Sequence, residues 1–387
     1  TSRIRLGTSI VQMSGRAPTS IAMHVMTLDH LSGGRVVLGM GVSGPQVVEG
    51  WYGQPFGKPL ARTREVVDII RKVLAREAPV TNDGPHYPLP FRGEGSVGLG
   101  KPLKPIVHPL RADVPIWLGA EGPKNVAQTA EIADGWIPIF YTPKSADMYR
   151  PWLAEGFARA GARHTAPWEG DSDFEIAATC HLQVVGSAEE KAAVLDAMRP
   201  FVSLYMGGMG AKEANFHNQV FVRMGYEDLA AEVQKLYLGG EKDRATALIP
   251  DELVDDMHII GTASEVKERV AQWEETGVTT LLLSCRSTEE IRSVAGLLVA
   301  GMDGIAKSTD PGPRLDINMY THGHTVADAK KLPSNLLDAL RAFQGDATLR
   351  SGLGSAFCDA YLNLKQADWN AFARHLTAWE RETTLDC

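Results

Sequence analysis

Strand-like and helix-like segments alternate along this chain as far as about Leu298, and there the alternation stops. That change of pattern constrains the fold more than any other feature, because it splits the 387 residues into two parts that cannot share an architecture. Through residues 1–298, short runs rich in Val, Ile and Leu are followed by amphipathic stretches and Gly-rich turns. From Val299 to Cys387 only helical patterning remains. Repeated β-α units imply parallel strands joined by crossover helices. Two domains are therefore expected: 1–298, an α/β unit, and 299–387, a short all-helical tail.

Ile4 to Val11 predicts a buried strand. Pro18 stands where a helix tolerates it, in the first turn, and Ser32-Gly33-Gly34 supplies a glycine stop after Leu31. Arg35 to Met40 predicts the next strand, and Ala61 to Arg76 a helix with Val66, Ile69, Ile70, Val73 and Leu74 on one face. Between them, Gly41 to Leu60 is too long and too rich in Gly and Pro for a plain connector, which suggests function. Strands are expected at Pro115–Leu118, Gly135–Phe140, Phe174–Val185 and Thr279–Ser284. Helices are expected at Gly122–Ala133, Pro143–Ala160, Ala188–Met198, Glu265–Thr276 and Thr288–Leu298, with Phe201–Pro250 less regular. This order fits a (β/α)8 barrel lacking two units, or an open doubly wound sheet. No GxGxxG follows the first strand, which disfavours a dinucleotide-binding Rossmann domain.

A formal charge of −8 argues against nonspecific nucleic-acid binding, which needs a basic face. No apolar run is long enough to cross a bilayer, and no signal-peptide pattern is visible. The four cysteines, Cys180, Cys285, Cys358 and Cys387, are scattered without CxxC or metal spacing. Free thiols in a cytoplasmic protein are expected, with no metal site and with a small molecule as ligand.

In a β/α barrel the chemistry sits at the carboxyl ends of the strands. Three such ends here are unusual: Gly7-Thr8-Ser9-Ile10-Val11-Gln12, Gly39-Met40-Gly41-Val42-Ser43-Gly44, and Gly119-Ala120-Glu121-Gly122-Pro123-Lys124-Asn125. The third opens directly onto a helix N-terminus, whose backbone N–H groups suit an anion.

These motifs carry a resemblance. Leu6-Gly7-Thr8-Ser9, Leu31-Ser32-Gly33-Gly34-Arg35-Val36-Val37-Leu38-Gly39, Gly41-Val42-Ser43-Gly44-Pro45-Gln46, Gly119 to Asn125 and Ala133-Asp134-Gly135-Trp136 resemble the bacterial luciferase-like flavin and deazaflavin oxidoreductases. Within them the chain is most similar to the branch dependent on coenzyme F420. The resemblance implies a luciferase-like TIM barrel without its first two β-α units, hence with open edges and an unstable or inactive chain. It implies a non-prolyl cis peptide at Ser9-Ile10, Gln12 beside the ring, and Gly41, Val42 and Ser43 lining the next strand end. Gly119, Ala120, Glu121, Gly122 and Pro123 are implied contacts of the ribityl-phosphate arm. The implied activity is hydride transfer between coenzyme F420 and a small organic substrate; FMN-dependent monooxygenation is the alternative. No side-chain nucleophile is needed and no catalytic residue is assigned.

His24 and His30 fall on a predicted helix and read as solvent-facing or capping. His108 and His217 fall in irregular insertions able to close over a site, and Glu49, Trp51 and Tyr52 are possible pocket walls. In the tail, Val299 to Ile305, Leu315 to Tyr320, Lys331 to Leu340 and Trp379 to Cys387 resemble the end of a type III glutamine synthetase. That likeness covers the family's last portion only, without its metal-ligating glutamates, so a non-catalytic fusion fragment is a further reading. His322 and His324 read as a polar turn.

Overall fold

The computed structural model describes residues 4–170, 172–210, 214–284, 333 and 335–373. The chain divides into one compact unit, Ser2–Ser284, and a second that holds Cys285–Cys387.

The first unit is built on a parallel sheet. Strands β1 (Leu6–Gly7), β2 (Val11–Gln12), β3 (Val36–Gly41), β4 (Ile116–Gly119), β5 (Gly135–Ile137), β6 (Glu175–Cys180) and β9 (Thr280–Leu283) make a seven-stranded sheet. Its order is β1-β3-β4-β5-β6-β9, with β2 also paired to β3. The intervening helices are α1 (Pro18–Ser32), α2 (Pro45–Gly50), α3 (Pro59–Ala75), α4 (Pro123–Ile132) and α5 (Ala146–Phe157). Every residue of β3 is buried, as a parallel strand covered on both faces requires. Its side chains alternate between two apolar layers. Val36, Leu38 and Met40 join Ile116 and Leu118 against α1 and α3, while Val37 turns the other way with Trp117, Ile137 and Ala177.

The second layer lies inside a curl. Arg5, just before β1, donates to both carboxylate oxygens of Glu175 at the start of β6, at 2.5 and 2.7 Å. Four strand spacings of about 4.8 Å would hold those residues roughly 19 Å apart on a flat sheet, beyond the reach of both side chains. The sheet is therefore bent into a half-barrel, its concave face holding the Trp117 cluster.

Local chemistry sets the element ends. Helix α1 begins at Pro18 and stops at Gly33, whose φ of 68° is left-handed. Where α4 meets α5, a Cβ on Gly156 would lie 2.0 Å from the Ala127 carbonyl oxygen, so the two helices touch backbone to backbone. Asp134 ties the far end of the sheet together. It accepts from Ile116 N–H, Arg71, Arg163 and His164. Burial alone would raise its carboxyl, but Arg71, His164 and the Ile116 amide outweigh that and hold it below the usual range.

Several sequence expectations are revised. Ile4 to Val11 is not one buried strand: it breaks at the Ser9–Ile10 cis peptide into two short pieces, and Leu6 is half exposed. Phe174 to Val185 splits at His181, because β6 pairs with β9 while β7 (Leu182–Val184) pairs with β8 (Ile259–Gly261), a strand the pattern missed. The described residues of Phe201–Pro250 are mostly helical. Helix α6 (Ala188–Ser203) continues into a π-helical turn, Leu204–Gly208, and α7 (Phe216–Arg223), α8 (Glu227–Leu238), α9 (Lys242–Ala247) and, just beyond, α10 (Asp251–Asp256) come later in the chain. These helices share their own core around Phe221, Val233 and Val254. Helix α11 (Ala263–Glu275) leads back to β9.

In the second unit, helices span Leu336–Gly345, Ala347–Leu353 and Ser355–Ala373. Leu340 and Cys358 are buried, and Phe343 packs edge-on to Tyr361 at 5.6 Å. The expected helix at Thr288–Leu298, the segments at Val299–Ile305, Leu315–Tyr320 and Trp379–Cys387, and the pair His322 and His324 lie outside the described residues. No helix among the described residues is long and apolar enough to cross a membrane.

Candidate functional site

Register brings the three unusual strand ends to one level. Gln12 pairs with Gly41, Met40 pairs with Leu118, and Gly119 pairs with Ile137. The first end is shaped by contact between backbones. Thr8 Oγ1 donates to Gly39 O at 2.8 Å and accepts from Gly39 N–H at 3.0 Å. A Cβ on Gly39 would stand 1.8 Å from the Thr8 carbonyl oxygen, so this crossing admits only glycine. After the cis bond, the Ile10 side chain runs over the sheet. It comes within 2.1 Å of where a Gly41 Cβ would be and 3.9 Å of one on Gly119. The bare positions at Gly41 and Gly119 are thus partly filled by Ile10.

Gln12 faces a cleft of about 430 Å³ lined by Ile10, Val11, Gly15, Arg16 and Tyr52. Its Oε1 accepts a hydrogen bond from the Tyr52 hydroxyl. A neighbouring hollow is lined by Val42, Phe56 and Tyr87 among others. Ser43 turns the chain from β3 towards α2 with φ at 62°, a left-handed conformation that costs a side-chain-bearing residue about 1 kcal/mol or more. Of the pocket walls expected here, Tyr52 faces the cleft. Trp51 is 82% exposed, and Glu49 accepts from the Phe56 N–H at 3.3 Å.

At the third end, Ala120 O accepts from the Trp136 indole N–H at 2.8 Å. Gly122 caps α4 without any side-chain cap, Pro123 takes the first helical position, and a Cβ on Gly122 would meet nothing within 4 Å. The first turn of α4 is therefore open on that side. Glu121 is mostly buried and lies 2.6 Å from His217 Nδ1, a close contact whose alignment falls short of a hydrogen bond. Burial, with the Glu121 charge added to it, raises the phenols of Tyr149 and Tyr205.

His217 thus meets a predicted site residue, but His108 does not. The His108 carbonyl accepts from His30 Nε2 at 2.8 Å, beside the amino-terminal end of β3. That is the opposite end of the sheet from the cleft, so His108 closes over nothing there. His24 is exposed, its Nδ1 2.6 Å from Ser20 O. Arg16, Phe56, Tyr205 and Phe216 were not singled out from sequence. Arg16 and Phe56 belong to the chain that directly follows the first two strand ends, whereas Tyr205 and Phe216 come from a distant helical segment, for which no local signal exists.

Residues 1–280 match the family model described as luciferase-like monooxygenase. The chain belongs to the luciferase-like family. The luciferase-like unit is 58% identical over 298 residues to a Mycobacterium tuberculosis protein provisionally named a coenzyme F420-dependent oxidoreductase, covering 77% of this chain and 84% of that one. Its fold is that of the F420-dependent tetrahydromethanopterin reductase of Methanopyrus kandleri, with a TM-score of 0.57 at 24% identity, covering 73% of this chain and 77% of the other. Residues 293–384 match the glutamine synthetase catalytic domain model. They are 52% identical over 90 residues to a Rhizobium leguminosarum glutamine synthetase, covering 23% of this chain and only 21% of that enzyme.

Proposed function

We propose that the luciferase-like unit transfers hydride between coenzyme F420 and a small organic substrate. The observation that carries this reading is the 58% identity over 298 residues to a relative named for that cofactor. The residues present fit such a group. Gln12 and Tyr52 offer amide and phenol partners to the polar edge of a flat ring, and Arg16 adds a cation at the same cleft. The uncapped first turn of α4 after Gly122 offers backbone N–H groups to an anionic arm. In this reading Ser9, Ile10, Gly41, Val42 and Ser43 shape the wall behind the ring, and Gly119, Ala120, Glu121, Gly122 and Pro123 follow the arm. When bound, the deazaflavin supplies the hydride; the protein supplies orientation and a site shielded from water. We further propose that residues 1–298 form the luciferase-like unit and residues 299–387 a glutamine synthetase-like tail that carries no ligase site of its own.

Fluorescence titration of the full chain with F420 and with FMN tests the cofactor. Tighter binding of F420 is expected. Tighter binding of FMN would overturn the assignment in favour of the monooxygenase reading.

A further inference from the structure

The cleft at the end of β2 has a one-sided polarity. Ile10, Val11 and Gly15 give it apolar walls, and Arg16 is the one charged side chain among its described lining residues. Gln12 and Arg16 reach it together because they flank a single 3-10 turn, Met13–Gly15, which the buried Met13 pins to the core. Pairing of Gln12 with Gly41 fixes the chain before that turn, and Pro18 at the start of α1 fixes it soon afterwards. Tyr52 closes the side. A Cβ on Gly15 would stand 3.2 Å from the Tyr52 ring, so the glycine lets the phenol lie against the turn with its hydroxyl on Gln12 Oε1.

That hydrogen bond decides what the cleft still offers. It uses the Tyr52 proton and an acceptor site of Gln12, leaving the N–H groups of the Gln12 amide. Arg16 adds a fork of N–H donors and no acceptor. Among the described residues no carboxylate, carbonyl or ring engages the Arg16 guanidinium. Other arginines of this chain are spent on its own acids: Arg64 grips both oxygens of Glu131, and Arg111 does the same to Asp29. The Arg16 fork is open. The chain as a whole carries a formal charge of −8, so this cation is not part of a generally basic surface. A planar, unpartnered guanidinium beside apolar side chains matches a carboxylate, which accepts two parallel N–H bonds from it.

We propose that Arg16 sets substrate specificity and that the substrate is a small organic acid. Its carboxylate is held by the guanidinium, and its body lies along Ile10 and Val11. This rests on the hydride-transfer reading and names the substrate class of that site. There the ring edge meets Gln12 and Tyr52 and the anionic arm follows α4, so the cation at the same cleft has the substrate as its counterpart. Arg16 is exposed, so the ion pair is screened by salt and acts on binding rather than on the bonds that change.

The test uses the full chain as wild type, Arg16→Gln and Arg16→Lys, with crotonate, cinnamate and pyruvate, each beside its methyl ester. Acid and ester binding is read by saturation-transfer NMR, F420 affinity by fluorescence, and turnover by oxidation of reduced F420. The wild type is expected to bind at least one acid about tenfold or more tighter than its ester, a preference that shrinks as salt rises. In Arg16→Gln the preference should vanish, with KM for the acid up about tenfold while kcat and F420 affinity stay within about threefold. Arg16→Lys should keep part of the preference, having the charge without the fork. A wild type that prefers no acid to its ester, or a preference that survives in Arg16→Gln, would overturn the proposal. So would a loss of F420 affinity above about tenfold in Arg16→Gln, which would give the guanidinium to the cofactor. If the wild type binds no F420, the cofactor reading fails by itself, and NMR of the acids on the chain alone still decides the role of Arg16.

Discussion

Arg5 and Glu175 are joined by two parallel hydrogen bonds although four strand-to-strand steps separate them along the sheet. Thr280 Oγ1 adds a third contact to the same carboxylate at 3.1 Å, and the Arg5 guanidinium lies 5.5 Å from the centre of the Trp117 ring. One side chain thus reports on the curvature of the whole half-barrel.

Replacing Arg5 with Ala should cost only about 1 kcal/mol, because Arg5 is half exposed and solvent screens the pair, leaving the ring contact as the larger share. Urea unfolding at low and high salt measures this. A loss well above that value would mean that the pair sets the curl, whereas a loss independent of salt would assign it to the Trp117 contact.

Gly39 and Gly122 should respond oppositely to alanine. At Gly39 the new Cβ meets the Thr8 backbone, which cannot swing aside, so at least about 3 kcal/mol or failure to fold is expected. At Gly122 the backbone is ordinary for an L-residue, φ −88° and ψ 155°, and the space is open. Stability should change by less than about 0.5 kcal/mol. Cofactor affinity should nevertheless fall, since the methyl would stand where an anionic arm approaches α4. Thermal melts paired with F420 titration separate the two effects.

Stability should fall from neutral pH towards pH 4 through His258. Burial, with the His181 and Arg269 charges added, pushes its imidazole down to about 4. The His181 N–H donates to its Nδ1 at 3.1 Å, which requires the neutral form. An unfolded histidine takes its proton near pH 6.5, so between there and about pH 4 the unfolded chain binds the extra proton and is favoured. The loss should approach about 3 kcal/mol. Chemical denaturation at successive pH values checks this. His258→Asn, which keeps an acceptor for the His181 amide without titrating, should flatten the slope.

Removing residues 299–387 should leave F420 affinity unchanged, since every candidate cofactor contact lies within Ser2–Ser284. The tail spans about a fifth of the glutamine synthetase it resembles, so the full chain should form no glutamine from glutamate, ammonia and ATP. Detectable ligase activity would contradict the fragment reading.

What could be read from the sequence followed burial on a regular period. Helix α3 shows its inward face directly, and β3, β4 and β5 were located by apolar runs beside glycine turns. Ile4–Val11 is apolar enough to look like one strand, yet its pairing with β3 breaks between Gly7, opposite Val37, and Val11, opposite Met40. Phe174–Val185 looks continuous since both halves are apolar, and nothing local says that they choose different partners at His181. Helices α7 to α10 are 6 to 12 residues long, too short for periodicity to show. For the same reason, Tyr205 was not legible beside His217: it stands on the π turn of that helical segment, which leaves no pattern along the chain.

The seam at Gly156 has a mechanical consequence for the cleft. With α5 pressed against the Ala127 carbonyl, α4 has no free travel along or towards its neighbour, so its opening turn is a fixed datum. A ligand of unsuitable length cannot be met by sliding that helix. Any accommodation falls to the Tyr52–Phe56 loop and α7, which meet where Phe56 stacks on Phe216. In the proposed reading, the anionic arm meets the rigid side, and tolerance is left to the end that faces the insertion.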